Sequence, residues 1–220
     1  MSELTVTTWP EFLEGASLFD NAVRLRFFLW TMRRHASPRA RLLEVGFGSG
    51  TTAVLLGDLG YHVTACDIEP ELISRVSAKY SDWIRTGRLC VEQADMFEMP
   101  WGDKSFDVVY HQGVFEHFPD EQIVAALREQ GRVARLIVFD VPNHRYGSHP
   151  FGNERLLPIR HWRRLIEEAG LESVDERGRD FHAWLYWLPH ALFSHFALDR
   201  IPWFVRHFAA SSIFVCRGKT

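Results

Sequence analysis

The stretch Leu42-Leu43-Glu44-Val45-Gly46-Phe47-Gly48-Ser49-Gly50-Thr51 constrains the fold more tightly than any other part of the chain. An apolar run ends in an acid and three alternate glycines, and a helical pattern follows. That order describes a strand feeding a tight turn whose backbone passes close to a ligand. Glycine suits such a turn because it accepts positive φ and carries no Cβ to block the approach. In an α/β sheet the turn lies at the carboxyl end of a strand, where nucleotide-like ligands bind. The spacing argues against a dinucleotide, whose G-x-G-x-x-G fingerprint would need its third glycine at Thr51. Here the pattern is E-x-G-x-G-x-G, and Glu44 suits a ligand carrying an ammonium group better than a pyrophosphate.

The next segments continue the theme. His62-Val63-Thr64-Ala65-Cys66-Asp67-Ile68 predicts a second strand, and its terminal Asp67 lies 17 residues after Gly50. A carboxylate there can accept both hydroxyls of a ribose. Residues 69–85 predict a helix with Leu72, Ile73, Val76 and Tyr80 on one face. Leu89 to Met96 predicts a third strand ending at Asp95. Phe106 to His111 predicts a fourth, followed by Gln112-Gly113-Val114-Phe115-Glu116-His117-Phe118-Pro119. Arg135 to Asn143 predicts a fifth.

Read in this order, the motifs resemble those of the class I S-adenosylmethionine (SAM) dependent methyltransferases, in particular the small-molecule branch with its quinone-biosynthesis and natural-product enzymes. The likeness covers residues 40–175. It implies an α/β, Rossmann-like, doubly wound and mostly parallel sheet of seven strands in the order 3-2-1-4-5-7-6. SAM is the implied cofactor and S-adenosylhomocysteine (SAH) the product. Glu44, Gly46, Gly48 and Gly50 would then hold the amino-acid part of SAM, and Asp67 its ribose. Ile68 would pack on adenine, Asp95 and Met96 would meet the edge of the base, and Gln112 would line the passage to the acceptor.

A chain of 220 residues with this pattern is expected to form one domain. Within it, residues 1–38 are a helical cap, 39–176 the SAM-binding core, 177–210 an aromatic-rich insertion and 211–220 the last strand. Phe12, Leu13, Ala16, Phe19, Ala22, Val23, Phe27 and Trp30 predict a helix over 9–36, serving either as a lid or as an ordinary helix on the sheet. Residues 119–134 and 158–171 predict two more helices, and 172–176 and 213–217 an antiparallel strand pair. The insertion carries nine aromatics between Phe181 and Phe208. They suit a helical hairpin packed on the sheet, an apolar substrate cap, or a contact with a second copy or a membrane surface.

Methyl transfer is governed first by alignment, which alone supplies on the order of 7–11 kcal/mol. A general base adds about 3–5 kcal/mol and is needed only when the acceptor holds a proton. His117 and His111, flanking the segment after the fourth strand, are the candidates for that base. Glu116, His144, Tyr146 and His149 are candidates to line the acceptor. No metal is expected, because His144 and His149 do not have the spacing that stacks two ligands on one helical face.

Phe115-Glu116-His117-Phe118 also resembles a segment of the cyclopropane fatty-acid synthases, so ring closure or alkyl transfer from SAM is the first alternative. A SAM-binding partner protein without catalysis is the second. The net charge of −3 and the absence of a polar-Pro-Pro-aromatic tetrapeptide after the fourth strand argue against nucleic acid as the partner. The N-terminal residues lack a signal-peptide pattern, no apolar window is long enough to span a membrane, and three unpaired-looking cysteines in apolar runs suggest reduced core thiols. A cytoplasmic location is the expectation.

Overall fold

The computed structural model describes residues 18–146, 152–181 and 209–219. Helices α1 (Leu18–Arg24) and α2 (Arg26–His35) come first. The expected single helix over 9–36 breaks at Leu25, whose side chain is buried, and residues 9–17 lie outside the described part. Arg26 turns back at the break and donates to the Val23 carbonyl at 2.9 Å. Strand β1 (Arg41–Val45) then leads through the glycine turn into α3 (Thr51–Asp58). Strand β2 (His62–Asp67), helices α4 (Pro70–Lys79) and α5 (Ser81–Arg85), strand β3 (Leu89–Gln93) and strand β4 (Phe106–Gln112) follow. After a single 3₁₀ turn at Phe115–His117 come α6 (Asp120–Val133), β5 (Ala134–Pro142), α7 (Ile159–Glu168), β6 (Leu171–Phe181) and β7 (Ala209–Gly218).

The seven strands form one sheet in the order β3-β2-β1-β4-β5-β7-β6, as the resemblance implied. The first five are mutually parallel, while β7 runs antiparallel to both β5 and β6. Alternation along each strand sends neighbouring side chains to opposite faces. Leu42, Val108, Tyr110, Val138 and Ile213 therefore meet Phe28 and Met32 of α2 and the apolar sides of α3 and α4. Leu43, Val109, Ile137, Phe139 and Phe214 meet Ile123 and Leu127 of α6 and Trp162, Leu165 and Ile166 of α7. Burial on both faces explains why the parallel strands read as continuous apolar runs. Each fully buried large apolar side chain stabilises the fold by about 1.5–3 kcal/mol.

Helix α2 lies on the sheet as a packing helix. Phe28 tilts against Tyr110 of β4 at 5.9 Å, His35 bonds Asp175 of β6 at 2.9 Å, and the Arg177 guanidinium stacks over Trp30 at 4.4 Å.

Three further expectations need correction. The helix expected over 69–85 is divided at Tyr80, which is buried edge-on against Trp83 at 5.8 Å. Cys66 and Cys216 are core thiols, but Cys90 is exposed because β3 is the edge of the sheet. The final strand pair is longer than expected: β6 runs on to Phe181 and β7 begins at Ala209, with the register shifting at a bulge between Ser173 and Asp175. Residues 182–208, with eight of the nine aromatics counted from Phe181, lie outside the described part.

Candidate active site

Every strand from β1 to β5 points its carboxyl end toward the same edge of the sheet, and Glu44, the glycine turn, Asp67, Asp95 and Gln112 lie at or just past those ends. The glycine turn is held in the left-handed region, with φ of 65° at Gly46, 53° at Gly48 and 70° at Gly50. Two of these positions are closed to other residues by packing as well. A Cβ on Gly46 would come within 2.9 Å of Val114, and one on Gly50 within 2.8 Å of Val76 and 3.1 Å of Tyr80. Val114 thus sets the segment after β4 directly against the turn after β1. Buried Tyr80, which divides the helix expected after β2, packs on the start of α3.

Glu44 is buried at the end of β1 and accepts a hydrogen bond from the Tyr110 hydroxyl at 3.1 Å. Burial pushes its pKa up to about 8, with the Tyr110 bond and an amide bond from Ala53 opposing. Asp67 ends β2, is half-buried and accepts from the Glu69 amide at 3.0 Å. Its neighbour Ile68 is 63% exposed, unusual for such a side chain. Asp95 lies just past β3 and receives the Phe97 amide at 2.9 Å, while Met96 turns into the core. Gln112 ends β4, and its Oε1 accepts from Thr52 of α3 at 3.2 Å. Its Nε2 is buried with no hydrogen-bond partner among the described residues.

The segment after β4 is held from outside. The Arg155 amide donates to the Glu116 carbonyl at 2.8 Å, and His117 Nδ1 pairs with Asn153 Oδ1 at 2.8 Å. Glu116 is buried, which pushes its carboxyl up to about 8, and its Oε2 has no hydrogen-bond partner among the described residues. Close by, Asp140 at the end of β5 pairs with Arg179 of β6. His144 is exposed on the turn after β5, with its pKa lowered first by burial of the ring and then by Arg145 and Arg160. Tyr146 is half-buried beside it, and His149 lies outside the described residues.

His111 is not at this edge in a usable form. It is fully buried, stacked on Phe139 at 5.6 Å and against Phe115 at 4.1 Å, and burial lowers its pKa to about 3. A ring sealed in an aromatic layer meets no acceptor, so the proton-accepting role expected of His111 is withdrawn. Replacing it tests this. The unfolded chain binds a proton near pH 6.5 that the folded ring refuses until about pH 3, so the buried ring costs stability increasingly as pH falls across that window. His111→Phe is therefore expected to gain on the wild type progressively below pH 6.5. Urea unfolding of both proteins at pH 5, 6 and 7 measures this, and a pH-independent difference would refute the assignment.

Sequence reasoning missed Tyr110, Thr52, Asp140 and Arg179. Tyr110 is opposite Glu44 in register and Asp140 opposite Gln112, which could be found only once strand pairing was known. An acid inside the apolar run Ile137-Val138-Phe139-Asp140-Val141 was the one visible signal.

The sheet order and the glycine turn beside Glu44 give the fold that the resemblance to class I methyltransferases implied. Residues 43–136 match the family model of the methyltransferase domain. The chain is 32% identical over 141 residues to 27-O-demethylrifamycin SV methyltransferase of Amycolatopsis mediterranei, covering 64% of this chain and 45% of that one. A chain of the Haloferax volcanii complex between the Trm112 methyltransferase activator and its methyltransferase superimposes with a TM-score of 0.69 at 16% identity, covering 96% of this chain and 98% of the other. Magnesium protoporphyrin IX methyltransferase of Synechocystis PCC 6803 with bound SAH gives 0.64 at 12% identity, covering 91% and 84%. The chain spans about half the length of the curated relatives it matches, from 45% to 61% for the first three. Among the described residues no helix is long and apolar enough to cross a membrane.

Proposed function

We propose that the protein transfers the methyl group of SAM to a small, partly apolar molecule. The observation that carries this is the buried Glu44 just before three positive-φ glycines, close enough to Asp67 for the two carboxylates to repel. The residues present fit the cofactor: a carboxylate for an ammonium, a second for a ribose, an exposed Ile68 for an adenine face, and a Gln112 whose buried Nε2 has no hydrogen-bond partner among the described residues. When bound, SAM supplies a methyl carbon already attached to a good leaving group. The chain's contribution is alignment, with Asp95 and Met96 at the base and Gln112 between cofactor and acceptor. His117 is the proposed proton acceptor. If its Nδ1 donates to Asn153, the lone pair lies on Nε2, the form a general base needs. Glu116, His144, Tyr146 and His149 are proposed to line the acceptor, with the Asp140–Arg179 pair near Glu116.

Calorimetric titration with SAM, SAH and NAD tests the cofactor. Micromolar binding of both adenosyl ligands with none of NAD is expected, and folded protein that ignores SAM and SAH would overturn the proposal.

A further inference from the structure

The charge of this chain is unevenly placed. Between Asn21 and Leu43 the sequence holds six arginines, one histidine and no acid, although the net charge of the whole is −3. Helix α2 contributes the centre of this block, and nothing within it offsets the charge. Its inner side, Phe28, Thr31 and Met32, is buried on the sheet. Its outer side carries Trp30, Arg33 and Arg34, while Arg26 folds back over Phe27 onto the Val23 carbonyl. Arg33 and Arg34 are exposed, and Trp30 is 40% exposed. Val23 of α1, 50% exposed, carries the apolar character onward past the break at Leu25.

We propose that this face of α1 and α2 rests on an anionic lipid bilayer. With the apolar side of α2 packed on the sheet and one face of the indole covered by Arg177, the surface left is a small cationic patch, on which Arg33 and Arg34 meet lipid phosphates and the free edge of Trp30 sits at headgroup level. A polyanion such as RNA would engage the same arginines. Exposed Trp30 and Val23 add to binding at a bilayer, whereas phosphate contacts make no use of them, so the lipid surface is the better match. Helix α2 is about 15 Å long, so it presents few contacts and the attachment is reversible and salt-sensitive. The inference stands apart from the methyl-transfer reading, because its test reads no activity and needs no cofactor.

The test is co-sedimentation of the full chain with vesicles of phosphatidylcholine alone and of equimolar phosphatidylcholine and phosphatidylglycerol. Binding to the anionic vesicles is expected to be about tenfold or more the stronger, and to be lost near ~1 M salt. Arg33→Glu/Arg34→Glu should bring binding down to the neutral-vesicle level with an unchanged melting temperature, while Arg33→Lys/Arg34→Lys should retain it. Equal binding to both vesicle types, or full binding by the charge-reversed variant, overturns the proposal. Preference for a short RNA duplex that anionic vesicles cannot displace overturns it in favour of a nucleic-acid surface.

Discussion

Asp67→Ala is expected to weaken SAM binding by about a hundredfold or more while leaving the fold intact. Hydrogen bonds to a charged group contribute about 1.5–3 kcal/mol each, and a ribose offers two hydroxyls to one carboxylate. The loss therefore reaches at least two powers of ten. Inside the protein, Asp67 accepts from its own neighbour, the Glu69 amide, so its removal costs the start of α4 little. Titration calorimetry beside a thermal melt separates the two effects. Unchanged affinity would remove Asp67 from the ribose site, and a collapsed melt would make it a structural residue.

The second large effect is a dependence of SAM affinity on pH. With its pKa near 8, Glu44 is mostly protonated at neutral pH without ligand. An ammonium group favours the carboxylate, so binding at pH 7 should release close to one proton. Affinity should then rise up to tenfold per pH unit from pH 6 to pH 7, and flatten toward pH 8 as Glu44 ionises unaided and the ligand's own ammonium begins to lose its proton. The sign follows from the raised value: a carboxyl with an ordinary pKa would already be ionised and would show no slope in this range. Glu44→Gln should bind weakly and without that slope. Calorimetry in two buffers of different ionisation enthalpy counts the proton directly, and a count of zero would place the ammonium away from Glu44.

The parts of the molecule legible from sequence share a physical cause. Parallel strands buried on both faces leave unbroken apolar runs, so β1, β2, β4 and β5 were visible, and the glycine turn fixed where the ligand edge lies. Side-chain pairing across the sheet was not legible. Glu44 could be named as a ligand-facing acid, but its partner Tyr110 lies 66 positions away, and only the register of β1 on β4 joins them. His111 shows the opposite failure: its place at the end of a strand suggested chemistry, while the face it occupies is the aromatic core. Cys90 read as buried because a strand at the rim has the same composition as one at the centre. Breaks at Leu25 and Tyr80 depend on what each side chain packs against, which helical periodicity does not record.

The sheet order also has a consequence for how the chain is made. Strand β7 occupies the slot between β5 and β6, yet it leaves the ribosome after both. Until it arrives, each of these strands exposes a row of unsatisfied amides and carbonyls on the side it will later share. The half of the sheet holding β1 to β4 has no such dependence and can close first. The nascent chain is thus expected to acquire its ligand turn early, and to pass through an interval in which the other half is a half-open seam, its most aggregation-prone moment.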